Sequence, residues 1–249
     1  MGLHSYFQKK NIPFGSVMSK VWNKKVFKNI QEKVDAASKS LAEERGACPD
    51  AEEYGMKERF SNKTAIAPTA SISIICGGSS PGIEPIAANS YTHKTLSGSF
   101  NVRNKYLKKI LSKYKKDTDD VWSSITTNQG SVSHLDFLTA EEKDTFKTAF
   151  EIDQRWIVEL GADRTPHISQ AQSINIFIPA DIHKKDLHNL HFQAWKKGLK
   201  SLYYCRSKSI QRAENVNKGT STDVTKNVYS QGQESNNESN NYEECLSCQ

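Results

Sequence analysis

No stretch of the 249 residues approaches the ~20 consecutive apolar side chains needed to span a bilayer, which excludes a transmembrane helix. The opening segment MGLHSYFQKK has no apolar core of the secretory type, and Tyr6 stands where a myristoylation signal after Gly2 needs Ser or Thr. Cysteine is scarce. Five occur at irregular spacing (Cys48, Cys76, Cys205, Cys245, Cys248), an odd number that argues against a secreted disulfide framework and for a reducing, cytoplasmic compartment. No internal repeat is visible, and no aromatic ladder accompanies the short lysine clusters behind the net charge of +6. Those clusters read as solvated helix faces rather than a nucleic-acid track.

Apolar residues nearly vanish from Gln211 to Glu244, where QRAENVNKGTSTDVTKNVYSQGQESNNESNNYEE cannot bury enough surface to offset the entropy of ordering. The expected organisation is therefore a folded part over residues 1–210 and a disordered tail over 211–249 that ends in Cys245-Leu246-Ser247-Cys248. A C-x-x-C pair on a flexible tether can travel, dock and exchange thiols with a disulfide elsewhere. Zinc is the rival ligand, but no second Cys or His pair accompanies the motif.

Within the folded part, Phe27, Ile30, Val34, Ala37 and Leu41 recur at helical spacing, and Gly46 stands where that helix should stop. Residues 101–127 read as helical, with Tyr106, Leu107, Ile110, Leu111 and Tyr114 on one face. Thr139 and Glu142 form a capping box opening a helix expected to reach about Leu160. Ile174, Ile176 and Ile178 alternate with Asn175 and Phe177 as in a strand. Asp181 can cap the next helix, whose buried stripe should include Leu187, Leu190, His191, Ala194, Trp195, Leu199 and Leu202. The segment around Tyr203 and Tyr204 favours β structure. Helices alternating with short strands imply an α/β fold.

Two stretches carry chemistry. Pro68-Thr69-Ala70-Ser71-Ile72 places small hydroxyl residues after an apolar run at a helix start, where free N–H and O–H donors converge on one point and favour a phosphate; an ordinary helix cap is the other reading. Tyr203-Tyr204 are adjacent phenols, each able to release an electron and a proton, though a tyrosine pair in a strand also serves plain packing. Cys76 and Cys205 sit among apolar neighbours and read as packing thiols, while Cys48 has no assigned role.

The run APTASISIICGGSSPGIEPIAANSYTHKTLSGSF, with its P-T-x-S, I-E-P, A-N-x-Y and L-S-G-x-F elements, resembles the large catalytic subunit of class I ribonucleotide reductases. WIVELGADRTPHISQAQSINIFI and HFQAWKKGLKSLYYCRS resemble two further signatures of that family, in the same order. The resemblance implies the C-terminal half of a ten-stranded α/β barrel with extra helices. It implies diphosphate binding by Pro68, Thr69, Ala70, Ser71 and Ile72, where Ile72 replaces the usual hydroxyl residue and offers only its backbone. It also implies radical transfer through Tyr203 and Tyr204, and re-reduction of an active-site disulfide by Cys245 and Cys248, with thioredoxin or glutaredoxin as external reductant. A tether of ~30 residues reaches about 30 Å, enough to visit an active site and return.

No N-L-C-x-E-like loop bearing the family's radical cysteine is found in the sequence. The resemblance therefore implies a C-terminal portion of a split or truncated large subunit, of the kind found in some bacteriophages. Its N-terminal partner would bring the dNTP/ATP effector sites, and the small subunit the diiron-tyrosyl radical; no metal is expected here. Helix 181–200 would contribute to docking of the small subunit. Two alternatives are a nucleotide-phosphate-binding module without catalysis and a thiol-disulfide interaction protein.

Overall fold

The computed structural model describes residues 1–95 and 98–207. Helix α1 (Leu3–Lys9) buries Leu3 and Phe7 and is tied to the loop before residue 81 by a reciprocal pair, Ser5 N to Ser80 Oγ at 3.1 Å and Ser80 N to Ser5 Oγ at 2.8 Å. Helix α2 (Val17–Arg45) starts at a capping box between Ser16 and Ser19 and stops at Gly46, whose φ of 81° suits a residue without Cβ. Its buried positions Ser19, Asn23 and Phe27 recur every fourth residue, then Ser38 and Ala42 continue the stripe.

After α3 (Pro49–Glu53) the chain runs extended, Ile66 making a parallel bridge to Gln172, and then forms the short α4 (Ala70–Ile75). Strands β1 (Ser90–Thr95) and β2 (Gly98–Arg103) form an antiparallel hairpin with Tyr91 opposite Val102.

Three helices follow as a lobe: α5 (Lys105–Lys113), α6 (Asp119–Thr127) and α7 (Ala140–Thr145). Side chains of Asn104, Thr118 and Thr139 cap their N-termini, each accepting first-turn N–H bonds that would otherwise lack partners. Leu107, Leu111, Trp122, Ile125 and Phe146 fill the lobe, and each buried leucine of this kind contributes roughly 1.5–3 kcal/mol. Asn89 joins lobe to hairpin, its Nδ2 donating to Gly130 O (2.9 Å) and Phe146 O (2.7 Å).

Helix α8 (Gln154–Arg164) packs against α2 and runs into a 3-10 turn at Thr165–His167. Strand β3 (Ile176–Ile178), helix α9 (Lys184–Lys196) and strand β4 (Cys205–Ser207) make a β-α-β unit, β3 and β4 being parallel with Ile176 opposite Cys205. Both faces of β3 are buried. Ile176 and Ile178 meet Val158, Leu190 and Ala194, while Phe177 enters the core of Phe7, Phe14, Phe27 and Ile157.

Several expectations are corrected here. Residues 101–103 belong to β2, and the helical stretch to Thr127 is broken after Lys113, with Lys115 at φ 56°. The helix begun at Thr139 ends at Thr145, because Phe146 turns into the lobe core and Glu151 Oε2 accepts from both Thr148 N and Thr148 Oγ1 at 2.8 Å, closing a local turn before α8. His183, not Asp181, caps α9. On α9, His191 and Trp195 face outward, Trp195 at 72 % exposure. Cys76 and Cys205 are exposed rather than packed. Among the described residues the strands form two two-stranded sheets and no closed barrel.

Candidate functional site

The hydroxyl run lies at the start of α4. Thr69 adopts a left-handed conformation (φ 55°), which costs a β-branched residue on the order of 1–3 kcal/mol and persists only where neighbours enforce it. The enforcing contact is Gly82, whose N–H donates to Thr69 Oγ1 at 2.8 Å. Gly82 itself has φ 51°, and a Cβ there would lie 3.4 Å from Pro68 O. Thr69 therefore closes the loop from 69 to 82 instead of capping its own helix. The first intrahelical bond runs from Ser73 N to Thr69 O (2.9 Å), so the N–H groups of Ala70, Ser71 and Ile72 precede the hydrogen-bonded ladder. Ser71 and Ile72 are exposed beside them, and Ser73 is turned inward, donating to Ala70 O at 2.6 Å.

Two residues beyond Gly82, the chain buries a carboxylate. Glu84 Oε1 accepts from Asn175 N, and Glu84 Oε2 accepts from Asn175 Nδ2 at 3.0 Å. Asn175 Oδ1 in turn accepts from Tyr204 N at 3.0 Å. Two backbone bonds, Tyr203 N to Ile174 O (2.8 Å) and Ile176 N to Tyr204 O (2.9 Å), complete the attachment of the tyrosine pair to β3. The Tyr203 and Tyr204 rings have centroids 4.2 Å apart at an interplanar angle of 58°, and both remain partly open at 44 % and 42 %. The Arg206 guanidinium lies 5.9 Å from the Tyr204 ring centroid. The hydroxyl loop and the phenols are thus linked through a three-residue span, 82–84.

Burial pushes the Glu84 carboxyl up to about 7, against the lowering effect of the two Asn175 bonds and the charges of Arg206 and Arg164. Arg164 is fully buried with Nε on Gln172 Oε1 (2.6 Å) and Nη1 on Asn23 Oδ1 (3.1 Å); desolvation pulls its guanidinium below the ordinary range while Glu84 and Asp163 hold it up. Partial desolvation also pushes the thiol of the exposed Cys205 up, beside the tyrosines.

Sequence reasoning singled out the loop and the tyrosines and gave no role to Glu84 or Asn175, which join the two in the structure. One signal was available: Glu84 is the only carboxylate between Glu58 and Asp117, and it sits between Ile83 and Pro85. Cys245 and Cys248 lie outside the described residues. On α9, His188, Phe192 and Trp195 form an outward aromatic row, with centroids 6.2 Å and 5.5 Å apart.

Residues 49–205 match the family described as the ribonucleotide reductase barrel domain. The chain belongs to that family. Within the ribonucleotide reductases, the chain is 47 % identical over 220 residues to a ribonucleoside-diphosphate reductase large subunit of Invertebrate iridescent virus 6, covering 87 % of this chain and 23 % of the relative. A large subunit from Invertebrate iridescent virus 3 is 44 % identical over 225 residues, covering 89 % of this chain and 35 % of that protein. Among solved structures, the Actinobacillus ureae class Id ribonucleotide reductase alpha subunit superposes with a TM-score of 0.78 at 39 % identity, over 86 % of this chain and 39 % of that one. The chain therefore spans between about a quarter and two fifths of these reductase chains. Among the described residues no cluster of three or more His, Cys, Asp or Glu side chains could hold a metal, and no helix is long and apolar enough to cross a membrane.

Proposed function

We propose that the chain is a C-terminal portion of a ribonucleoside-diphosphate reductase large subunit, contributing the C-terminal half of the barrel. It acts with an N-terminal partner segment that carries the radical cysteine and effector sites, and with a radical-generating small subunit. The observation that carries this reading is the hydrogen-bonded link from the Thr69 loop through Glu84 and Asn175 to the paired phenols of Tyr203 and Tyr204.

The first-turn N–H groups of Ala70, Ser71 and Ile72, with the hydroxyls of Thr69 and Ser71, would receive the diphosphate of a ribonucleoside diphosphate. Thr69 can still donate its hydroxyl proton while its oxygen accepts from Gly82 N. Each tyrosine can give up one electron together with its O–H proton and regain both from its neighbour, so the pair can pass a radical without net charge movement. In the reducing half of the cycle, the Cys245 and Cys248 thiols would exchange with the active-site disulfide. That step frees two thiols there and leaves a disulfide between Cys245 and Cys248, which thioredoxin or glutaredoxin would reduce. The outward His188–Phe192–Trp195 row on α9 would contribute to the surface met by the small subunit.

Assembly of the full chain with an N-terminal large-subunit segment and a small subunit tests the reading. We expect nucleoside diphosphate reduction that Tyr203→Phe or Tyr204→Phe abolishes while substrate binding stays normal. Near-wild-type turnover in either variant would remove the radical role. Thr69→Val should weaken diphosphate binding, and an unchanged dissociation constant would remove that residue from the substrate site.

A further inference from the structure

We propose that Glu84 is a positioning residue for the tyrosine pair: its carboxylate orients the Asn175 amide, and that amide fixes the backbone from which both phenols project. The inference rests on the reading of Tyr203 and Tyr204 as a radical relay.

An asparagine amide is nearly symmetric in shape, so only its partners decide which end carries the oxygen. At Asn175 the end facing Glu84 must donate, because Glu84 Oε2 accepts from it at 3.0 Å while Oε1 accepts from the Asn175 backbone N–H. The opposite end must then be the oxygen, and it accepts from Tyr204 N at 3.0 Å. Were the amide reversed, its NH₂ would face the Tyr204 N–H, donor against donor. A neutral glutamine at position 84 could accept at one of the two donors but would set a second NH₂ against Asn175 Nδ2. Only an ionised carboxylate satisfies both, which gives a physical reason for burying an acid at 9 % exposure.

The charged groups facing this carboxylate are Arg164 on α8 and Arg206 on β4; both favour the ionised form, while burial opposes it. Protonation replaces an acceptor by an O–H donor and releases one side of the clamp. The relay geometry therefore tightens as pH rises through the titration of Glu84 and loosens below it. Tyr203 N and Tyr204 O keep their bonds to β3 in either state, so the change is one of alignment and not of unfolding.

Two measurements test this. In the assembled reductase, Glu84→Gln should lower kcat by about a hundredfold, the scale expected for a misplacement near 1 Å, leave KM for the nucleoside diphosphate unchanged, and erase the acid limb of the kcat profile. In the full chain alone, hydrogen exchange at the Asn175 and Tyr204 amides should speed up in the same variant. Pairing Glu84→Gln with Asn175→Asp restores one donor facing one acceptor, and should recover both kcat and amide protection. Unchanged kcat in Glu84→Gln, a KM that rises in step with the loss of kcat, or failure of the paired exchange to recover activity would each overturn the proposal. A wild-type assembly that reduces no nucleotide overturns the functional reading itself. Amide exchange then judges the clamp alone: faster exchange upholds it and unchanged exchange removes it.

Discussion

From Asn104 to Phe146 the chain buries its large apolar side chains among themselves; among the described residues none of the strongly exposed ones falls in that lobe. The strand-bearing remainder leaves Val17, Met18, Val21, Ile72, Ile74, Ile75, Phe192, Trp195 and the tyrosine pair open. Among the described residues each of its sheets has only two strands. The lobe closes its own core within fewer than fifty residues of chain, whereas the part bearing the candidate site presents apolar surface of the sort that marks an interaction face. This contrast fits the proposal that the remaining length of a large subunit covers the strand-bearing part and leaves the lobe alone.

Substitutions in the two regions should separate accordingly, and the largest effect belongs to the lobe. Trp122 is fully buried and donates Nε1–H to Asp117 Oδ1 at 2.8 Å, so Trp122→Ala should cost about 3–5 kcal/mol in urea unfolding of the full chain. A cost below about 1 kcal/mol would mean that the lobe lacks the closed core described above.

The response to pH should come from the other region, where two deeply buried groups titrate with opposite sign. Burial holds His4 down at about 3, its Nδ1 accepting from Ile86 N at 3.0 Å. An unfolded His4 takes up its proton near 6.5, so this residue costs the fold stability as pH falls below that value. Glu84 is pushed up to about 7, so it holds its proton longer folded than unfolded and costs stability as pH rises toward 7. Over about pH 4.5 to 6.5 the two nearly cancel. In Glu84→Gln, stability should fall on acidification by on the order of 3 kcal/mol, and in His4→Gln it should rise by a similar amount. Parallel slopes in the two variants would show that neither group governs the response.

The joint between the regions gives a smaller effect. Gly130 has φ +80°, and a Cβ there would lie 2.3 Å from Ala88 Cβ, so Gly130→Ala should cost about 2–3 kcal/mol by forcing hairpin and lobe apart. Equal stability to wild type would show that this contact yields freely. Smallest of all, Trp195→Ala should change unfolding of the chain by less than about 0.5 kcal/mol, since its ring lies mostly in solvent. The same substitution should weaken small-subunit binding if α9 forms part of that interface. A large loss of stability from Trp195→Ala would erase the distinction drawn between the regions.

Much of the local structure was legible because it depends on neighbours a few residues away. The Gly46 stop of α2, the Thr139–Glu142 capping box and the Leu107–Leu111 face of α5 all follow from short-range spacing. Phe146 and Phe150 also have helical spacing, yet they serve different cores, and no periodicity distinguishes two destinations from one helix face. Trp195 occupies a stripe position on α9 and still points to solvent, because Leu190 and Ala194 already fill the face against β3. The clamp was illegible for the same reason: Glu84 and Asn175 are 91 positions apart, and nothing local to either announces the other.

The contacts of the first two helices fix an order of events during synthesis. Helix α1 finds its partners at Ser80, Ile86 and Asn104, and α2 finds its own at Glu159, Leu160 and Arg164, more than 130 residues later. Until α8 leaves the ribosome, the 29-residue α2 has only Tyr6, which meets Trp22, and the 59–63 segment, which meets Ser38 and Asp35, so its Phe27 stripe stays uncovered while the α5–α7 lobe can already close. Pairing of α2 with α8, across more than 130 residues, should therefore be slower than closure of the α5–α7 lobe from neighbouring helices.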